Sequence, residues 1–103
     1  MDSKVTVVAS FVAKEGQIEN LKNALMALIE PTRREEGCIR YDLQQSIENA
    51  AKLTMLEEYQ NQSALDYHNG QPYLANLINQ LDTLAESADI ETYLRLCCVI
   101  RGN

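Results

Sequence analysis

The spacing of apolar residues switches repeatedly between a period of two and a period near 3.6, and that succession limits the folds open to this chain. From Lys4 to Ala13 the residues alternate, with Val5, Val7, Ala9 and Phe11 on one face and Thr6, Val8, Ser10 and Val12 on the other. This is the pattern of a strand. From Gln17 onward, Ile18, Leu21, Leu25 and Leu28 recur at spacings of three and four, which predicts an amphipathic helix. Pro31 has no N–H for the Ala27 carbonyl, so a kink is expected there, with a short helical continuation through Glu36. Gly37 then reads as a left-handed helix stop.

Alternation returns over Cys38 to Ser46, with Ile39, Tyr41 and Leu43 sharing a face. It returns again over Ala51 to Gln60, with Leu53, Met55, Glu57 and Tyr59 together. The short polar link at Ile47–Ala50 makes these two strands an antiparallel hairpin. Asn61 suits the N-cap of a brief helix through Ala64, Leu65 and His68, which Asn69-Gly70 should end. Pro72 opens a further helix with the stripe Leu74, Leu77, Ile78, Leu81, Leu84 and Ala85, proline being favoured in the first turn. A last strand is expected over Asp89 to Arg101, with Ile90, Leu94, Leu96, Cys98 and Ile100 on one side.

The resulting order β, α, β, β, α, β is the split βαβ arrangement of a ferredoxin-like α+β sandwich, with both helical layers on one face of a four-stranded antiparallel sheet. No linker divides the 103 residues, so residues 1–103 are expected to form one domain. A chain of that length buries roughly two thirds of its unfolded surface, enough for one core. The faces led by Val5, Val7, Phe11, Ile39, Leu43, Leu53, Met55, Leu94 and Leu96 should lie under the helices. The opposite face would then show Val8, Val12, Cys38, Leu56, Tyr93, Cys97 and Val99. A patch of that kind marks an interface, and a homodimer through the open sheet face is the expectation. The competing reading is that scattered surface valines and leucines are normal.

Net charge is −6, which repels nucleic-acid phosphates and anionic membrane surfaces. No apolar run approaches the roughly 20 residues of a membrane span. The opening residues carry no secretory signal pattern, so a cytoplasmic location is expected. Cys38, Cys97 and Cys98 show no paired spacing and read as free thiols. One histidine and no CxxC are too few ligands for an ordinary zinc or histidine metal site, so no metal and no cofactor is expected.

Glu57 lies on the helix-facing side, where an ionised carboxylate is costly without a partner. The alternative is partial solvation or pairing with an arginine near the strand end. His68 is the single imidazole, the side chain suited to proton transfer near neutral pH. Leu65, one turn earlier, can carry it inward, or it can be an exposed cap at the helix C-terminus. Tyr41, Tyr59, Tyr67 and Tyr73 supply aromatic surface with hydroxyl handles, as an apolar pocket with few polar groups would, although tyrosine packs in ordinary cores too.

Three segments carry a family resemblance: Glu36-Gly37-Cys38-Ile39-Arg40-Tyr41-Asp42-Leu43, Leu53-Thr54-Met55-Leu56-Glu57-Glu58-Tyr59, and Ser63-Ala64-Leu65-Asp66-Tyr67-His68. In order and spacing they resemble the antibiotic biosynthesis monooxygenase family. The resemblance implies a dimeric α/β barrel with a pocket between sheet and helices in each protomer. It also implies a quinol-monooxygenase-like activity on a small aromatic, phenolic or quinol-like substrate, without metal or flavin. Glu57 and His68 stand at the family's glutamate and histidine. Tyr59 stands where tryptophan is usual, and Tyr73 where a second histidine often follows the proline. On this reading His68 is the base, Glu57 and Tyr59 complete the catalytic set, and Tyr41, Met55, Leu65, Phe11 and Tyr73 hold the substrate. The same fold also carries isomerases of small hydroxy-carbonyl or phosphorylated compounds, and non-catalytic dimeric ligand-binding modules are a further alternative.

Overall fold

The computed structural model describes residues 3–96. Strands β1 (Val5–Ala13), β2 (Cys38–Gln45), β3 (Lys52–Tyr59) and β4 (Ala85–Leu94) form one antiparallel sheet in the order β2-β3-β1-β4. Helices α1 (Ile18–Met26), α2 (Ile29–Arg33), α3 (Gln62–Asn69) and α4 (Pro72–Leu84) fill the connections. This is the ferredoxin-like α+β topology. β1 is central: Val5 faces Tyr59 on one side and Leu94 on the other.

Strict alternation makes the helix-facing side of the sheet a continuous apolar surface. Every odd-numbered residue of β1 from Val5 to Ala13 is buried, as are Leu53, Met55, Glu57 and Tyr59 of β3. Ala9, Phe11, Tyr41, Leu53 and Met55 pack with Leu21, Leu25 and Leu28 from the first helical layer and Leu77 and Leu84 from α4. Val5, Val7 and Tyr59 pack with Leu65 of α3.

Four local expectations are corrected. The helix breaks at Ala27–Leu28, one turn before Pro31, which sits inside α2. The proline lacks a donor, but the unmade bond belongs to the Ala27 carbonyl, and the ring crowds that carbonyl. Leu28 N–H reaches only three residues back, to the Leu25 carbonyl at 3.1 Å.

Gly37 is not left-handed; among the described residues the positive φ belongs to Gly16, at 81°. What Gly37 supplies is space. A Cβ there would lie 2.3 Å from Ala64 Cβ, so only glycine lets the start of β2 pass this close to α3.

β2 carries a bulge between Cys38 and Arg40: Cys38 faces Tyr59, yet Arg40 faces Glu58. The extra residue, Ile39, is thrown outward and is 41% exposed, while Cys38 turns in against the core. A bulge reverses the alternation on its own side, which simple period counting cannot register.

β4 begins at Ala85, directly from α4, rather than at Asp89. Ala85 is paired with Ala13 of β1, and Lys14 N–H bonds the Leu84 carbonyl at 2.9 Å. Pairing with the central strand thus captures the residues that continue the helical stripe. Ile90 and Leu94 share a face with Ala9 and Val5 but stay largely exposed, and Leu96 is 90% exposed. Cys97, Cys98, Val99, Ile100 and Arg101, placed in the last strand from sequence, lie outside the described residues.

Candidate functional site

The buried face of the sheet and the helices above it do not close completely. Between them lies a cavity of about 160 Å³, the room of a single aromatic ring, since an apolar protein cavity of about 150 Å³ accepts benzene. Phe11, Tyr41, Met55, Glu57, Leu65 and His68 all line it. Tyr59 and Tyr73 stand outside the wall. Each reaches the site through its hydroxyl: Tyr59 Oη donates to Glu57 Oε1 at 2.7 Å, and Tyr73 Oη donates to Glu35 Oε2. Tyr59 is fully buried with its donor engaged, so it supports Glu57 instead of meeting a ligand.

His68 is delivered by the shortness and capping of α3. Asn61 Oδ1 accepts the Ala64 N–H at 2.9 Å, which starts the helix in register, and Leu65 and His68, three residues apart, fall on its buried face. The imidazole is 2% exposed, which rules out the exposed cap. Its ring centre lies 5.5 Å from that of Tyr41, edge-on, 5.4 Å from Tyr59 and 6.5 Å from Tyr73. Its Nδ1 lies 2.9 Å from Glu35 Oε2. A carboxylate oxygen only accepts, so the contact with Glu35 favours the tautomer with its hydrogen on Nδ1.

Glu35 was not legible as a site residue when single elements were read separately. Its signal is the helical stripe carried through the break: Leu21, Leu25, Leu28, Thr32 and Glu35 continue the spacing of four, three, four and three, and all five are buried. The proline displaces one hydrogen bond without rotating the stripe off the core.

Burial raises the acids in this site. The Glu57 carboxyl is pushed from 4.5 to about 7, mainly by burial; the Glu35 carboxylate adds to this and the Tyr59 hydrogen bond opposes it. Burial pushes the Tyr41, Tyr59 and Tyr73 phenols up, with help from Glu57 for the first two and from the Glu35 hydrogen bond for Tyr73. The Cys38 thiol rises to about 11, by burial and then the Glu35 and Glu57 charges. Near neutral pH the three phenols and the thiol keep their protons. Among the described residues, no cluster of three His, Cys, Asp or Glu side chains could hold a metal ion, and no helix is long and apolar enough to cross a membrane.

The sequence profile of the antibiotic biosynthesis monooxygenase family matches residues 4–80. The chain belongs to that family. The matched span contains every wall residue named above and stops short of β4. A Mycobacterium tuberculosis relative called "Putative monooxygenase Rv0793" is 38% identical over 84 residues, which are 82% of either chain. The solved structure of Rv0793 superposes with a TM-score of 0.89 at 32% identity, over 95% of this chain and 100% of that one. Protein SO0527 from Shewanella oneidensis gives a TM-score of 0.89 at 38% identity, over 92% of this chain and 93% of its own. The ferredoxin-like α+β fold of this chain is thus the fold of these solved relatives.

Proposed function

We propose that this protein is a monooxygenase that oxidises a small phenol or quinol with dioxygen, using no metal or flavin. The observation that carries the reading is the ring-sized apolar cavity with a buried imidazole in its wall. An electron-rich phenol needs little from a protein to react with oxygen: loss of its proton, orientation, and exclusion of water. The electrons balance without an outside reductant. A phenol with a free para position plus O₂ gives a quinone plus H₂O, one oxygen atom going to the ring and the other leaving as water with two hydrogens from the substrate.

In this scheme His68 Nε2 takes the phenolic proton, and the imidazolium faces Glu35. Phe11, Met55 and Leu65 grip the ring, and the Tyr41 hydroxyl orients the substrate oxygen. Glu57, neutral below about pH 7, puts no like charge against the phenolate. The test is oxygen uptake with a panel of phenols and quinols. At least one should be consumed together with O₂ in equal amounts, yielding quinone, and chelators should leave the rate unchanged. A panel that binds, seen as raised melting temperature, but consumes no oxygen would reject the oxygenase and leave a binding protein.

The assembly that goes with this reading is a homodimer through the open sheet face. Val8, Val12 and Leu56 sit there among polar side chains, including the Ser10–Thr54 hydroxyl pair at 3.0 Å and the Glu58–Arg95 ion pair. Leu56→Glu would bury an unpartnered charge in such an interface and should give monomer or aggregate. Sedimentation of the unmodified chain as a folded monomer would dismiss the dimer.

A further inference from the structure

The site contains a buried acid that the function above does not require for its cavity wall. Glu35 is 7% exposed, and two donors from distant parts of the chain converge on one of its oxygens: His68 Nδ1 at 2.9 Å and the Tyr73 hydroxyl both meet Oε2. The other oxygen, Oε1, is buried with no hydrogen-bond partner among the described residues. An arrangement selected for stability alone would not look like this. A buried carboxylate oxygen without a partner costs free energy, and an apolar residue would continue the Leu21, Leu25, Leu28 stripe at lower cost. A buried polar group kept against that cost calls for another reason.

We propose that Glu35 is the positioning residue of the His68 base: its Oε2, clamped by Tyr73, takes the Nδ1 hydrogen and holds the imidazole in the tautomer that presents a bare Nε2 to the cavity. Without such an acceptor a neutral imidazole can carry its hydrogen on Nε2 and then cannot accept a proton from the substrate. Glu35 also faces the charge that arises when it does. The proton moves from the substrate oxygen to Nε2, giving an imidazolium with hydrogens on both nitrogens beside the carboxylate. Glu35 lines a polar cleft with Arg34, Gln60, Asn61 and Ser63, none of which lines the cavity. Glu35 itself does not line the cavity, so it acts through His68 and not on the substrate.

This inference rests on the oxygenase reading for its kinetic consequence but not for its geometry, and the two can fail separately. The chain has one histidine, so in tag-free protein the imidazole ¹⁵N signals belong to His68 alone. The neutral imidazole of the parent should show the hydrogen on Nδ1. Both donors meet the same oxygen, so the variant that removes the acceptor is Glu35→Leu, in which Nδ1 has no carboxylate to donate to and the hydrogen should move to Nε2. With an accepted phenol, kcat should fall on the order of 10²-fold or more with KM changed little, as expected when a base is held in the wrong tautomer. A parent that carries the hydrogen on Nε2 overturns the proposal even if no variant folds. So does a folded Glu35→Leu protein that keeps the parent tautomer and turnover. If no phenol is oxidised by the parent, the oxygenase reading fails, and the tautomer measurement still decides the role of Glu35.

Discussion

His68→Gln is expected to fold, to keep its ligand, and to lose turnover by about 10² to 10⁴, the usual worth of general-base help. Glutamine can still donate to Glu35 Oε2 from its amide, so the buried carboxylate keeps a partner. What it loses is the ring that packs against Tyr41, Tyr59 and Tyr73 and any atom able to take a proton at neutral pH. Lost packing at a site 2% exposed should lower stability by about 1 to 2 kcal/mol, less than truncation to alanine would. Oxygen uptake per folded molecule and ligand-induced melting shifts, measured on parent and variant, separate the two effects. Unchanged oxygen uptake by the variant would remove His68 as the base, whatever the stability showed.

Glu57→Gln should make the protein more stable at pH 8, and the gain should shrink as the pH is lowered. The folded-state carboxyl is raised from 4.5 to about 7, chiefly by burial, so folding favours its protonated form. Glu57's contribution to stability is therefore full below about pH 4.5, declines as the pH rises, and is fully lost above about 7. Each tenfold change in proton affinity is worth about 1.4 kcal/mol, so the loss amounts to about 3 kcal/mol. Glutamine resembles the protonated acid: its carbonyl can accept the Tyr59 hydroxyl, as Glu57 Oε1 does at 2.7 Å, and it has no charge to bury. Urea titrations should show the variant ahead by about 3 kcal/mol at pH 8 and by about 1 kcal/mol or less at pH 5. A gap that does not change between those pH values would mean that Glu57 titrates normally in the folded protein. Burial of this carboxyl bears on turnover as well. An ionised Glu57 opposes formation of a phenolate beside it, so the parent should slow as the pH rises through about 7, and the glutamine variant should not.

Much of this was legible without the fold. The alternation of β1 and β3 placed Phe11, Met55 and Glu57 on the helix-facing side, and Asn61 marked the start of the helix that carries Leu65 and His68, leaving the histidine either inward or at an exposed cap until the structure showed it 2% exposed. Those inferences held because each depends on contacts within a few residues: a cap, a helical turn, a pleat. Where the readings went astray, a second segment intervened. Ile39 points outward because a bulge against β3 shifts the register, and Ala85 leaves its helix because β1 offers it a partner.

By itself, the sequence determined the order of elements, the apolar faces of β1 and β3 and the identity of the only imidazole. The tertiary structure decided which groups that imidazole meets. Glu35 lies 33 residues from His68, and Tyr73 lies 38 residues from Glu35. Their convergence on one oxygen depends on how α2, α3 and α4 pack over the sheet, not on any local pattern. The perturbation of Glu57 is likewise tertiary, because a carboxyl on a strand is ordinary until helices remove its water. Long-range approach is a property of packing, and no periodicity in a single segment encodes it.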